Sequence, residues 1–477
     1  MIPLSYAQSR MWFLDRLGEG ASYLLPLAYR LRGPLDRAAL AAALGEVTGR
    51  HEALRTVFPE TDGVPRQVVL EPATSRPDLA VVHLDEDRLP AALAAAAERP
   101  FDLTGEAPLR TTLFDLGGDT HVLLILLHHI AADGWSQEVL LRDLATAYAA
   151  RRRGCPPDWP PLPIQYVDYT LWQQSLLADE DDPASVAGAH LAYWRDRLDG
   201  VPDHLELPTD RARPATVSQH GATATATVPA DVHRGVLALA AAERATPFMV
   251  VQAALAVLLT MVCPAEDIPI GTIVAGRTDE ALADVIGVCV NTLVLRTDTS
   301  GTPSFRALLR RVRATDLEAF AYQELPFERL VDVLRPARST AWSPLFQVLL
   351  VREDNRTLVP ELVGLRATEE PVASNRSKFD LSLYFRELRA ADGGPGGVGC
   401  ALEYATDLFD AATADNILRW LGRILAQVVV DPNRRISDVD ILTPGERREL
   451  LTEFNGRFEY AHVRDGRSRT TRNGRDG

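Results

Sequence analysis

Six consecutive apolar residues, Val122 to Leu127, run without a break into two histidines, His128 and His129. The run is far too short to cross a bilayer, and unbroken apolar character over a strand's length fits a β-strand buried on both faces. Such a strand needs a packing layer above and below it, so an α/β fold is expected. The surrounding sequence supplies the parts. Leu27, Tyr29 and Leu31 alternate with small or charged residues, as do Leu109, Thr111 and Leu113, and both segments read as strands. Gly117-Gly118-Asp119 turns the chain just before the apolar run. Asp36 caps an Ala-rich helix with Leu40, Leu44 and Val47 on one face, and Ser136 to Ala150 is helix-periodic.

At 477 residues the chain exceeds one ordinary core, which predicts two lobes. Prolines are dense from Cys155 to Pro163, a helix is expected around Asp168 to Leu177, and the acidic stretch Asp179 to Pro183 reads as a loop. The boundary is placed near residue 180, giving lobes of residues 1–180 and 181–455. The second lobe repeats the style. Strands are predicted at Ala222–Val228, Ile268–Val274, Val290–Leu295 and Phe346–Val351. Helices are predicted at Asp231–Glu243, Pro247–Val262, Ser304–Tyr322 and Ala411–Val428. Gly393 to Gly399 reads as a glycine-rich loop, and residues 456–477 as a disordered tail or linker remnant.

A net charge of −15 argues against nucleic acid as partner. Cys155, Cys263, Cys289 and Cys400 are scattered, so neither a zinc site nor a disulfide framework is implied, and a reducing cytoplasm is expected. No signal-peptide pattern opens the chain and no stretch of about 18 apolar residues suggests a membrane span. The sequons at Asn355 and Asn375 then carry little meaning.

The chemistry concentrates in His128-His129-Ile130-Ala131-Ala132-Asp133-Gly134-Trp135-Ser136. Successive strand side chains point to opposite faces, so one histidine can face a channel while the other packs inside. A helix is expected to begin just after Gly134, and backbone amides there favour nearby negative charge. Imidazole beside such amides suits acyl transfer, although a lone histidine is more often structural. Competing motifs are poor. No nucleophile elbow or P-loop occurs, and Gly394, Gly396 and Gly399 match a dinucleotide fingerprint by spacing without its strand–turn–helix context. Ser136 reads as a helix-start cap.

These residues resemble the HHxxxDG signature of the condensation-domain superfamily, whose simplest relative is chloramphenicol acetyltransferase. Further segments resemble the family's other motifs in order: Ser5–Leu14, Arg50–Thr56, Tyr166–Tyr169 with Trp172-Gln173, Ile270–Arg277 with Val290-Asn291-Thr292, Gln323–Glu328, and Ser343–Val348. The resemblance covers residues 2 to about 455. It implies two chloramphenicol-acetyltransferase-like lobes in a V-shaped pseudo-dimer with a central tunnel. It implies a nonribosomal peptide synthetase condensation domain, which joins a donor thioester to an acceptor amine, both on phosphopantetheinyl carrier proteins. No cofactor or metal belongs to the domain itself, and an adenylation domain is the expected neighbour in the synthetase.

By that resemblance His129 is the catalytic histidine and His128 its structural neighbour. Whether His129 acts as a base or holds the amine stays open. Asp133 is expected to pair with Arg277 across the lobes, and Gly134 to let backbone approach the site. Trp12, Phe13 and Trp172 are expected to pack in the core. Tyr322, and Val288-Cys289, depart from the family's usual residues in segments that border its channel or crossover, which bears on substrate fit. Leu442–Leu450 resembles a linker into an adenylation domain, and that likeness dissolves after Asn455, as in a truncated module or an isolated piece. Ala178–Pro183 and the run to Tyr193-Trp194 resemble domains that take an L-configured donor. An epimerization domain is the nearest alternative, but Asp133–Ser136 resembles the condensing type. A heterocyclizing domain would replace the histidines with aspartates. A recruitment domain that docks a tailoring oxygenase usually has a degraded signature.

Overall fold

The computed structural model describes residues 2–337, 339–353, 358–372 and 375–448. The first half runs α1 (Tyr6–Leu14), β1 (Leu24–Arg32), α2 (Arg37–Arg50), β2 (Leu79–His83), α3 (Leu89–Ala97), β3 (Leu109–Asp115), β4 (Thr120–His128), α4 (Gly134–Arg152) and α5 (Tyr166–Leu176). The second half begins with α6 (Val186–Leu198), β5 (Gly221–Val228), α7 (Ala230–Ala242), α8 (Pro247–Val262), β6 (Asp267–Val274) and β7 (Asn291–Asp298). It continues with α9 (Phe305–Ala321), α10 (Phe327–Leu334), β8 (Val348–Arg352), β9 (Arg366–Glu369), β10 (Leu381–Arg389), β11 (Pro395–Ala405) and α11 (Ala411–Val430).

The apolar run forms the middle of the first sheet, whose order is β9-β1-β4-β3-β2. Its side chains alternate between the two faces of the sheet. Leu123, Ile125 and Leu127 pack with Leu40 and Leu44 of α2 and Leu140 and Leu144 of α4. Val122 and Leu124 meet Leu89 and Leu93 of α3 on the other face. Leu126 joins Leu4, Met11 and Tyr166. A strand with no polar face therefore has no solvent face either.

The second sheet has the order β7-β6-β8-β10-β11-β5. Leu381, Leu383 and Phe385 of β10 and Cys400, Leu402 and Tyr404 of β11 pack on α8 and α11. Ser382, Tyr384, Ala401 and Glu403 alternate with them and point away from that core. No single helix among the described residues is long and apolar enough to cross a membrane.

Two sequence expectations are corrected here. The glycine-rich stretch Gly393–Gly399 is mostly strand, because β11 starts at Pro395. Glycine is required rather than merely tolerated there. A Cβ on Gly396 would lie 2.7 Å from the Ala390 nitrogen, and Gly397 has φ +126° hard against the Val228 carbonyl. The second correction is β9, which periodicity did not reveal. It leaves the second half of the chain to pair antiparallel with β1, so the first sheet is finished by residues far beyond 180. The 456–477 tail lies outside the described residues.

The second lobe also buries a carboxyl. Asp316 of α9 is fully enclosed, and its Oδ1 accepts a 3.0 Å hydrogen bond from Gln252 Nε2 on α8. Burial pushes it up to about 7, the Gln252 hydrogen bond and Arg197 opposing. The folded state thus holds a proton that the unfolded chain releases near pH 4, so this contribution to stability is lost as pH rises from there through 7. Asp316→Asn should raise the melting temperature by several degrees at pH 8 and by clearly less at pH 5. Scanning calorimetry at both values decides it, and equal shifts would show that no proton is involved.

Candidate active site

β4 ends at His128, which pairs with Leu24 of β1. His128 lies on the same face as Leu126, fully buried, with its ring edge against Phe101 at 6.1 Å. Its Nδ1 accepts the Ile130 N–H at 3.1 Å. Burial first, then the charges of His129 and Lys378, push it down to about 3. His129 comes one residue after the strand. Its backbone N–H donates to the Tyr23 carbonyl at 2.7 Å, which fixes the main chain at the point where the ring leaves the sheet. The ring is only half-buried, packs edge-on to Tyr23 at 6.5 Å, and its Nδ1 has no well-aligned partner among the described residues. Burial and the Lys378 charge push it down to about 3, the carbonyls of His129 and Ala132 opposing. Both imidazoles are therefore neutral near pH 7.

Asp133 is the N-cap of α4, and the cap is reciprocal with Ser136. Asp133 Oδ1 accepts the Ser136 N–H at 2.9 Å, and the Asp133 N–H donates to Ser136 Oγ at 3.2 Å. The capping role read for Ser136 thus belongs first to Asp133. The same carboxylate crosses to the second lobe. Arg277 Nη2 donates to Oδ1 at 3.1 Å and to Oδ2 at 3.3 Å, and the Cys289 N–H donates to Oδ2 at 3.0 Å. The side chains are 0% and 3% exposed, so the pair is buried outright. Arg277 Nη1 also donates to the Leu282 and Val285 carbonyls at 2.6 and 2.8 Å, and this shell offsets its desolvation.

Backbone fit around this pair is tight. Gly276 has φ +61°, and a Cβ there would lie 1.9 Å from the Cys289 carbonyl. A Cβ on Gly287 would lie 1.9 Å from the Tyr166 ring. Tyr166 OH donates to the Val288 carbonyl at 2.9 Å and lies 2.8 Å from Ser5 Oγ, so three separate motifs meet at one hydroxyl. Gly134 differs from expectation. A Cβ there would meet nothing within 4 Å, so its missing side chain leaves room beside the helix start rather than admitting protein backbone.

The remaining sequence readings divide. Val288 and Cys289 are buried among Leu4, Ile130 and Tyr166, so these two departures pack the interior rather than wall a channel. Tyr322 stacks on Tyr193 at 4.1 Å, and its carbonyl accepts the Trp194 indole N–H at 2.9 Å. Asn291 donates to the Gln323 and Leu325 carbonyls at 2.8 and 2.7 Å and accepts the Phe327 N–H at 3.0 Å, which ties two motifs together. Phe13 and Trp172, expected in the core, are 57% and 44% exposed, while Trp12 is partly buried.

A family profile described as Condensation domain matches residues 1–451. The chain belongs to the condensation-domain family. It is 52% identical over 452 residues to CymA of Salinispora arenicola, named as a probable non-canonical nonribosomal peptide synthetase, covering 94% of this chain and 6% of that protein. It is 47% identical to a dimodular nonribosomal peptide synthase of Bacillus subtilis, covering 95% and 19% respectively. The chain thus spans less than a fifth of the length of these relatives. Among solved structures, the X-domain in complex with OxyB from teicoplanin biosynthesis aligns with TM-score 0.87 at 39% identity, covering 93% of this chain and 96% of that one. The first condensation domain of the calcium-dependent antibiotic synthetase aligns with TM-score 0.73 at 20% identity, covering 92% and 99%, which shows the shared fold. The architecture is the two-lobed chloramphenicol-acetyltransferase type.

In this condensation domain the buried pair gives a direct test. Asp133→Ala leaves the Arg277 guanidinium buried without its carboxylate, at a cost of about 3–5 kcal/mol. Arg277→Ala strands the carboxylate in the same way. The double variant should be markedly less destabilised than the sum of the singles. Chemical denaturation of all four proteins measures this, and strict additivity would show that the pair is not coupled.

Proposed function

We propose that this condensation domain joins two carrier-bound acyl groups by forming an amide bond. The observation that carries the reading is His129, a neutral imidazole held by its own backbone at the end of β4 and only half-buried. The acceptor amine attacks the donor thioester carbonyl, the C–N bond forms, the C–S bond breaks, and the extended chain ends on the acceptor carrier. A group held near 3 is a weak base, so the reading favours His129 as the acceptor of an amine N–H that aims the nucleophile. No covalent enzyme intermediate is needed. The thiols of Cys263, Cys289 and Cys400 are each pushed up to about 12 by burial, and Ser136 Oγ is engaged with Asp133 and Gly287. The Ser136 amide is taken up by the Asp133 cap, so oxyanion support from that amide is not part of the reading.

The partners in this reading are a donor and an acceptor peptidyl carrier, whose phosphopantetheine arms bring the substrates. An adenylation domain is the neighbour, and the cytoplasm the setting. His128, Asp133, Gly134 and Arg277 support the site, and an L-configured donor is the proposed preference. A second reading has an observation of its own, the likeness to the X-domain that was solved with OxyB. On that reading the same fold recruits an enzyme and makes no bond. The intact His128, His129, Asp133 and Gly134 favour catalysis.

Single-turnover assays with loaded carriers separate the two. The wild-type domain should form amide, and His129→Ala should lower the rate about 10²–10⁴-fold while its melting temperature stays close to wild type. Absence of amide from the wild type, together with binding of a partner oxygenase, would support recruitment. A parallel assay with matched L- and D-aminoacyl donors should favour the L form, and a faster D-donor would overturn that preference.

A further inference from the structure

Lys378 is the only lysine among the chain's 50 Lys and Arg residues. Every other basic position is met by arginine, whose guanidinium stays charged at any working pH. The exception lies against the site. The Lys378 ammonium sits 4.6 Å from the centre of the Tyr23 ring, and Tyr23 carries the carbonyl that holds the His129 backbone. Lys378 is also close enough that its charge acts on both histidines.

The stem is anchored from below. The Ser377 N–H donates to the Gln219 carbonyl at 2.9 Å, and His220 bridges Arg376. A Cβ on Gly221 would lie 2.5 Å from the Arg376 carbonyl carbon, so the strand lies directly against this segment. Ser22, next to Tyr23, donates to Gln219 Oε1. The Tyr23 segment and the Lys378 segment are thus fastened to each other across the lobes. By surface area Lys378 is exposed, although protein atoms lie densely around it.

We propose that Lys378 is a second reacting group of the His129 site, the one that takes the proton from the incoming ammonium while His129 aims the resulting amine. This rests on the condensation reading above. An α-ammonium of ordinary pKa about 7.7–8.0 must lose a proton before it can attack. Burial and Arg10 push Lys378 down to about 8, with Glu403 opposing, so a working fraction of neutral amine is present at neutral pH. The ring of Tyr23 also favours the cation. The step balances. The Lys378 amine takes the proton from the substrate ammonium, and the freed amine forms the C–N bond. The second N–H proton passes to the departing thiolate, and Lys378 returns its proton to solvent. Arginine at 378 would supply the charge but not this exchange.

The experiment compares wild type, Lys378→Met, Lys378→Gln and Lys378→Arg in single-turnover condensation from pH 6 to 9.5, with melting temperatures alongside. All three variants should fold, and all should lose at least about tenfold in rate at pH 7. The loss should shrink toward pH 9, where the acceptor amine deprotonates unaided. The result that overturns the proposal is a Lys378→Arg rate restored to wild type, since a fixed cation would then suffice. A pH-independent loss, or an undiminished Lys378→Met, overturns it as well. Reductive ¹³C-methylation gives an independent readout, because one lysine yields one ε-methyl signal. Its midpoint should fall near 8, and a midpoint near 10 rules the group out as a proton acceptor. A wild-type domain that makes no amide sinks both readings, whereas an active wild type with a fully active Lys378→Met sinks only this one.

Discussion

The buried pair of Asp133 and Arg277 is the constraint around which the site is organised. One carboxylate caps the helix that follows the histidines, receives a guanidinium from the other lobe and takes the Cys289 amide. Such a pair is tolerable in the interior only when its remaining hydrogen-bonding capacity is met, and the carbonyls of Leu282 and Val285 do much of that. The demand spreads outward. Gly276 must adopt a left-handed turn to deliver Arg277, Gly287 must lack a side chain because Tyr166 lies on it, and Tyr166 in turn reaches Ser5. Residues far apart in the chain thus answer to one electrostatic requirement.

The two sheets solve burial differently. β4 has no polar face and is covered on both sides, which makes it a rigid rod ending at the histidines. β10 and β11 bury one face and turn Ser382, Tyr384 and Glu403 to the other. The position of the His129 main chain is then fixed by β4 and the Tyr23 carbonyl.

Much of this was legible in the sequence, for local reasons. The apolar run, the Asp36 cap and the period of α8 and α9 each follow from nearest-neighbour chemistry, and the structure places them where the pattern does. The Asp133–Arg277 contact came from the family resemblance rather than from spacing. What stayed hidden depends on distant partners. β9 is four residues of ordinary polarity whose strand character exists only because β1 offers an edge. The glycines of β11 look like a loop until Val228 and Ala390 are seen pressing on them. Phe13 and Trp172 carry the composition of core residues, and nothing local says they face outward. Lys378 did leave a signal, a lone lysine in an arginine-rich chain, although only the fold shows what it approaches.

The crossing of β9 sets the order in which the molecule can be assembled. Arg30 on β1 is ion-paired with Glu370, 340 residues further along the chain. During synthesis the first sheet can align β1 with β4 early, yet the outer edge of β1 waits unpaired until most of the second lobe has been made. An unpaired edge is a template for wrong pairing, and contacts so distant in sequence form slowly. Early in translation the first lobe is therefore a nascent chain with a sticky rim, and its protection arrives only with the other half of the protein.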